Sequence, residues 1–188
     1  MDRQETLERV YALGFEYEQK YSNCAQCALA AIQDVLGGID DEVFKAANAL
    51  AGGAGLTTQG TCGALSGGMM AISTRYGRDR ASFTTTRPRR AAALSKRLFD
   101  RFVAEYGSPI CTCVHQALFG RSFDFWNPDD ARAFDAAGGH VDKCTSVVGK
   151  TAQWTAEILL DAKDEDSRSS GSPLFSVVPC FRKGAQGG

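Results

Sequence analysis

The residues with most chemistry to offer in this chain are its cysteines. There are seven in 188 residues, Cys24, Cys27, Cys62, Cys111, Cys113, Cys144 and Cys180. Thiolates ligate soft metals, and thiol pairs exchange electrons by making and breaking disulfides. The first residues, Met1-Asp2-Arg3-Gln4-Glu5, show no basic segment leading into an apolar run, so a cytoplasmic, reducing setting is expected. There, cysteines serve metal binding or thiol chemistry in preference to structural disulfides, and the odd count argues the same way. Familiar local patterns are missing. Cys24-x-x-Cys27 has no second CxxC to complete a zinc ribbon, and Cys111-x-Cys113 is not a ferredoxin run. A thiol–disulfide pair at Cys24 and Cys27 stays open, although such pairs usually sit in a βαβ context that this sequence lacks.

Helical periodicity dominates the elements that must position these sulfurs. Leu7, Val10, Tyr11, Gly14 and Phe15 recur at three- and four-residue steps and predict a helix over about 4–20. Ser22 is expected to cap a second helix, with Cys24, Cys27, Ala28, Ala31, Ile32 and Val35 on one stripe and Gly37-Gly38 as its stop. Asp40 and Asp41 open a third carrying Val43, Phe44, Ala47 and Leu50. A glycine-rich loop follows at 51–55, and a compact helix runs from Ala64 to about Tyr76. Pro88 suits the first position of a long helix reaching Tyr106, and Ser108-Pro109 restart a helix whose first turn holds Cys111. Asn127-Pro128-Asp129-Asp130 start another, ended at Gly138-Gly139, and Cys144 heads the last. No segment alternates convincingly as a strand. The expected fold is all-α, a compact multi-helix bundle over 1–164, with 165–188 as a poorly ordered tail containing Cys180 and at most a short strand at 175–178.

Position along these helices singles out four sulfurs. Cys24, Cys62, Cys111 and Cys144 each fall within a turn of a predicted helix start. A helix N-terminus carries unpaired N–H groups and about half a positive charge, which favours thiolate over thiol. Four such sulfurs could hold an anionic iron–sulfur cluster, either [2Fe–2S] or [4Fe–4S], with backbone N–H groups aimed at it. Gly63, beside Cys62, would leave room where the cluster sits. The alternative is zinc on the same cysteines, stapling a helical scaffold.

These residues also carry a resemblance. Tyr21-Ser22-Asn23-Cys24-Ala25, Gly60-Thr61-Cys62-Gly63-Ala64-Leu65-Ser66-Gly67-Gly68, Gly107-Ser108-Pro109-Ile110-Cys111 and Gly139-His140-Val141-Asp142-Lys143-Cys144 resemble, in order, the four cysteine motifs of the redox-active C-GCAxxG-C-C family. The likeness spans about 20–161. It implies a redox role, and a related domain at the C-terminus of split-Soret cytochromes implies an iron–sulfur centre. Here Cys62 precedes its glycine, and Cys27, Cys113 and Cys180 are extra, so Cys113 could replace Cys111 in the ligand set. Without CxxCH, no covalently attached c-type haem is expected.

The remaining features bound the function. Cys27, on the stripe of the second helix, reads as core. Of two histidines, His115 lies one turn after Cys111 and could reach the same site, though a partly buried polar role is the simpler reading. His140 reads as a turn residue. Met69, Met70, Trp126 and Trp154 read as packing groups. Arg75, Arg78, Arg80, Arg87, Arg89, Arg90, Lys96 and Arg97 make the middle basic, a solvated face or a dock for an acidic redox partner protein. A net charge of −1 and sparse aromatics in the basic run speak against nucleic acid, and no apolar run approaches a membrane span. A homodimer through close contact at Gly67-Gly68 is left open. No general acid, base or substrate pocket can be named.

Overall fold

The computed structural model describes residues 1–87 and 89–169. It contains α1 (Arg3–Tyr21), α2 (Cys24–Leu36), α3 (Asp41–Ala46), α4 (Gly63–Tyr76), α5 (Arg89–Tyr106), α6 (Cys111–Phe119), α7 (Pro128–Ala136) and α8 (Cys144–Ser169). Short 3₁₀ turns lie at Asn48–Leu50 and Arg80–Ser82, and a π turn, Gly139–Lys143, leads into α8. Among the described residues there is no strand, only an isolated antiparallel bridge between Thr61 and Ile110. The fold is all-α. No described helix is long and apolar enough to cross a membrane.

Local chemistry accounts for the helix limits. Asp2 and Glu5 form a reciprocal capping box on α1, and Ser22 ends that helix in a left-handed conformation. Asn23, rather than the expected Ser22, caps α2 by accepting from the Gln26 N–H. Asn127 caps α7 with Pro128 in the first turn. The helix begun at Asp41 stops at Ala46 and gives way to the 3₁₀ turn before Leu50. Pro88 lies outside the described residues, as do Cys180 and the 175–178 segment. The last helix runs past 165 to Ser169.

Helix α8 is the axis of the molecule, packed against α1, α2, α4 and α5. Val147, Val148, Ala152, Trp154, Ala156 and Leu159 are buried along it. Helix α4 threads between α2 and α8 by means of two glycines. A Cβ at Gly67 would collide with the Ala25 carbonyl oxygen of α2, and one at Gly68 would lie 2.5 Å from Thr155 Oγ1 of α8 and 2.7 Å from Leu98 of α5. Both glycines therefore face neighbours within the chain. Trp154 is buried as expected, but Trp126 is 72% exposed, its indole N–H donating to the Gly55 carbonyl.

Part of the basic middle is engaged within the fold. Arg90 pairs with Glu165 and Asp166, and Arg97 with Asp161 and Glu165, all on the last turns of α8. Arg75 donates to the Leu36 and Gly37 carbonyls at the end of α2. Glu165 lies about 30 Å along α8 from Cys144 at 1.5 Å per residue.

Replacing Gly67 by Ala should force α2 and α4 apart against backbone. A loss of roughly 1–3 kcal/mol is expected in urea unfolding; unchanged stability would show that the α2–α4 contact is looser than drawn here.

Candidate functional site

The four cysteines flagged by position do meet. Cys24 is the first residue of α2, Cys62 the N-cap of α4, Cys111 the first residue of α6, and Cys144 the first residue of α8. Together they line one cavity of about 260 Å³. Its other walls are apolar, including Leu56, Val114, Phe125, Phe134 and Val148, with Glu18, His115 and His140 as further polar groups.

Backbone hydrogen bonds set the sulfurs in place. The Cys62 N–H donates to Pro109 O at 2.8 Å, the Cys111 N–H to Gly60 O at 3.0 Å, and the Thr112 N–H to Thr58 O at 2.8 Å. This short ladder around the Thr61–Ile110 bridge ties the approach to Cys62 to the approach to Cys111, although the two lie far apart in sequence. Gly63 does not face the cavity. A Cβ there would sit on the Cys24 sulfur and 2.9 Å from Leu50 O, so its bareness makes room for a candidate ligand, not for a cofactor.

The loop before Cys62 is unusual. Gly52, Gly53, Ala54, Gly55 and Leu56 all have φ between +56° and +74°, forming a left-handed turn, and Thr58 follows at +60°. The bonds Gly55 N–H to Ala49 O, Leu56 N–H to Ala51 O and Thr58 N–H to Gly52 O close it. L-residues resist this conformation by roughly 1–2 kcal/mol each, so Ala54 and Leu56 are held there by their surroundings. The turn puts Gly52 and Leu56 on the cavity wall.

Charge at the site is governed by burial. Hydrogen bonding to Cys62 and then burial hold the Cys24 thiol well above its usual range, burial and the neighbouring Glu18 and sulfurs do the same to Cys144, and burial first pushes Cys111 up to about 12. The expected thiolate preference at helix N-termini is thus overturned. Half a helix charge does not offset desolvation plus the mutual repulsion of sulfurs sharing one apolar cavity. Among the described residues, no group of three or more His, Cys, Asp or Glu side chains closes around a single ion. The sulfurs surround a space, not a point.

Two acid–base residues join them. His115, 2% exposed, places Nε2 3.7 Å from Cys111 Sγ within a cage of Phe119, Phe123, Phe125 and Phe134. Burial depresses its pKa to about 4. Glu18, on the last turn of α1 and 3% exposed, has its pKa raised to about 7 by burial, opposed by a hydrogen bond from Cys27. Glu18 Oε2 and His115 Nδ1 have no hydrogen-bond partner among the described residues. His140 bridges outward, 4.0 Å from Glu18 and 2.9 Å from Asp135; it is more than a turn residue. Sequence reasoning missed Glu18, yet the signal was present: it continues the Leu7, Val10, Gly14 stripe, a carboxylate on a buried face. Cys113 is exposed and Cys27 is buried in the core, neither on the cavity wall.

An all-helical bundle whose helix starts deliver four cysteines to one cavity defines a protein built around a cysteine site. The chain belongs to the family described as "Putative redox-active protein (C_GCAxxG_C_C)", which matches residues 22–158 and so takes in all four cysteines. No curated protein and no solved structure matches significantly.

Two predictions follow from this geometry. Glu18 in the native protein keeps a proton that the unfolded chain loses from about pH 4.5 to 7, so its contribution makes stability fall as pH rises there. His115 refuses a proton that the unfolded chain accepts from about pH 6.5 down to 4, so its contribution makes stability rise with pH. Each is on the order of 3 kcal/mol, and they oppose. Denaturation of the metal-free protein should show Glu18→Gln gaining stability with pH over this window and His115→Phe losing it; slopes of one sign in both variants would refute the assignment. Ala54→Gly should stabilise the protein by about 1 kcal/mol by relieving its left-handed strain. Thermal melts will show whether it does.

Proposed function

We propose that this chain is an electron-transfer or redox-accessory protein holding an iron–sulfur cluster on Cys24, Cys62, Cys111 and Cys144. One observation carries the reading: four sulfurs from four helix starts line the same cavity. The donor set suits the group, since clusters are held by four cysteine thiolates. Two of the unpartnered buried atoms, Glu18 Oε2 and His115 Nδ1, suit it as well, being groups on the cavity wall that an occupant bearing acceptor sulfurs could satisfy. A single zinc ion draws four sulfurs to about 2.3 Å of one point, and the described side chains form no such closed group. A wider, multi-atom occupant is the better match.

Such a cluster supplies reversible one-electron storage. The chain's own residues do the rest. Gly52 brings bare backbone to the cavity wall beside these sulfurs, and the phenylalanines around His115 and the valines of α8 exclude water. Since Cys24, Cys111 and Cys144 hold their protons in the metal-free protein, loading must release protons and is favoured by rising pH. A redox partner protein is expected to supply and accept the electrons.

Anaerobic reconstitution with iron and sulfide, followed by metal analysis and electron paramagnetic resonance, tests this. Cys24→Ser, Cys62→Ser, Cys111→Ser and Cys144→Ser should each lose iron and the visible absorption, while Cys27→Ser and Cys113→Ser keep both. Stoichiometric zinc with no colour, or loss of iron in Cys113→Ser but not Cys111→Ser, would overturn the assignment.

A further inference from the structure

Among the thiols of the cavity, Cys24 and Cys62 stand in a different relation from the rest. Gly63, the residue after Cys62, leaves the space that the Cys24 sulfur fills, and both sulfurs line the same cavity. The helices that carry them are locked side by side where Gly67 meets the Ala25 carbonyl. Cys27, the CxxC neighbour of Cys24, is instead buried in the core and off the cavity wall. Cys111 has His115 beside it.

We infer that Cys24 and Cys62 form a dithiol–disulfide couple in the metal-free protein, linking the starts of α2 and α4. The inference goes beyond the cluster reading and needs no metal. With hydrogen peroxide as oxidant, the peroxide O–O bond breaks, one sulfur takes up one oxygen as a sulfenic acid, and the other leaves as water. The second thiol then attacks that sulfur; the S–S bond forms, the S–O bond breaks, and a second water departs. Two thiols and one hydrogen peroxide thus give one disulfide and two waters. Because the disulfide uses two of the four cavity cysteines, the oxidised chain is closed to cofactor loading until reduced.

The test uses the full chain, metal-free and fully reduced, treated with hydrogen peroxide, alkylated and digested with trypsin. Cleavage after Lys20, Lys45 and Arg75 places Cys24 and Cys27 on peptide 21–45 and Cys62 on peptide 46–75. The expected product is 21–45 joined to 46–75, present in wild type and Cys27→Ser and absent in Cys24→Ser. Should Cys24→Ser fail to fold, fragmentation of the wild-type product must find the alkyl group on Cys27. A bond within 21–45, a link that vanishes in Cys27→Ser, or peroxide treatment yielding no 21–45/46–75 link overturns the inference. In a second arm, iron and sulfide uptake should be lost in the oxidised chain and recovered on reduction; uptake undiminished by the disulfide refutes the gating. If even the reduced chain takes up no iron, the cluster reading fails while the disulfide map stands.

Discussion

The structure turns on how closely α2 and α4 can approach. Ala25 and Gly67 meet backbone to helix, and Gly63 yields its side-chain volume to the Cys24 sulfur. Any added methyl group at these points meets a carbonyl oxygen or a thiol, neither of which can swing away. With the two helices seated this tightly, the N-terminal residues of both face one cavity. Helix α8, lying across α1, α2, α4 and α5, brings Cys144 to the same place. The bridge at Thr61 and Ile110 adds Cys111.

The convergence has an electrostatic consequence. Helix starts offer N–H groups that would favour thiolate. An apolar cavity holding four sulfurs, with Glu18 beside them, is nevertheless hostile to negative charge, and Cys24, Cys111 and Cys144 keep their protons. The same burial keeps the caged imidazole of His115 neutral. The left-handed turn at 52–56 belongs to the same economy of space: it is a strained way to bring backbone, not side chain, up to the sulfurs.

Most of the framework was legible from spacing. Helix limits followed from capping residues such as Asn127 and from three- and four-residue apolar steps, and the four chosen cysteines lie at helix starts as expected. The glycines show where spacing stops informing. Gly63 faces the Cys24 sulfur, and Gly67 and Gly68 pack against α2, α5 and α8. A glycine announces close approach but not what approaches. Trp126 carries every mark of a core residue except its surroundings. Glu18 was overlooked because a lone carboxylate near a helix end usually faces water.

Sequence alone determined the helices, the order of the four cysteines and their place at helix starts, because capping and periodicity are local properties of a few adjacent residues. Which sulfurs share a cavity, which helices pack closely enough to bring them there, and how burial sets protonation were decided only by the tertiary structure. Those depend on distances between residues dozens of positions apart, and on the dielectric that the surrounding helices create.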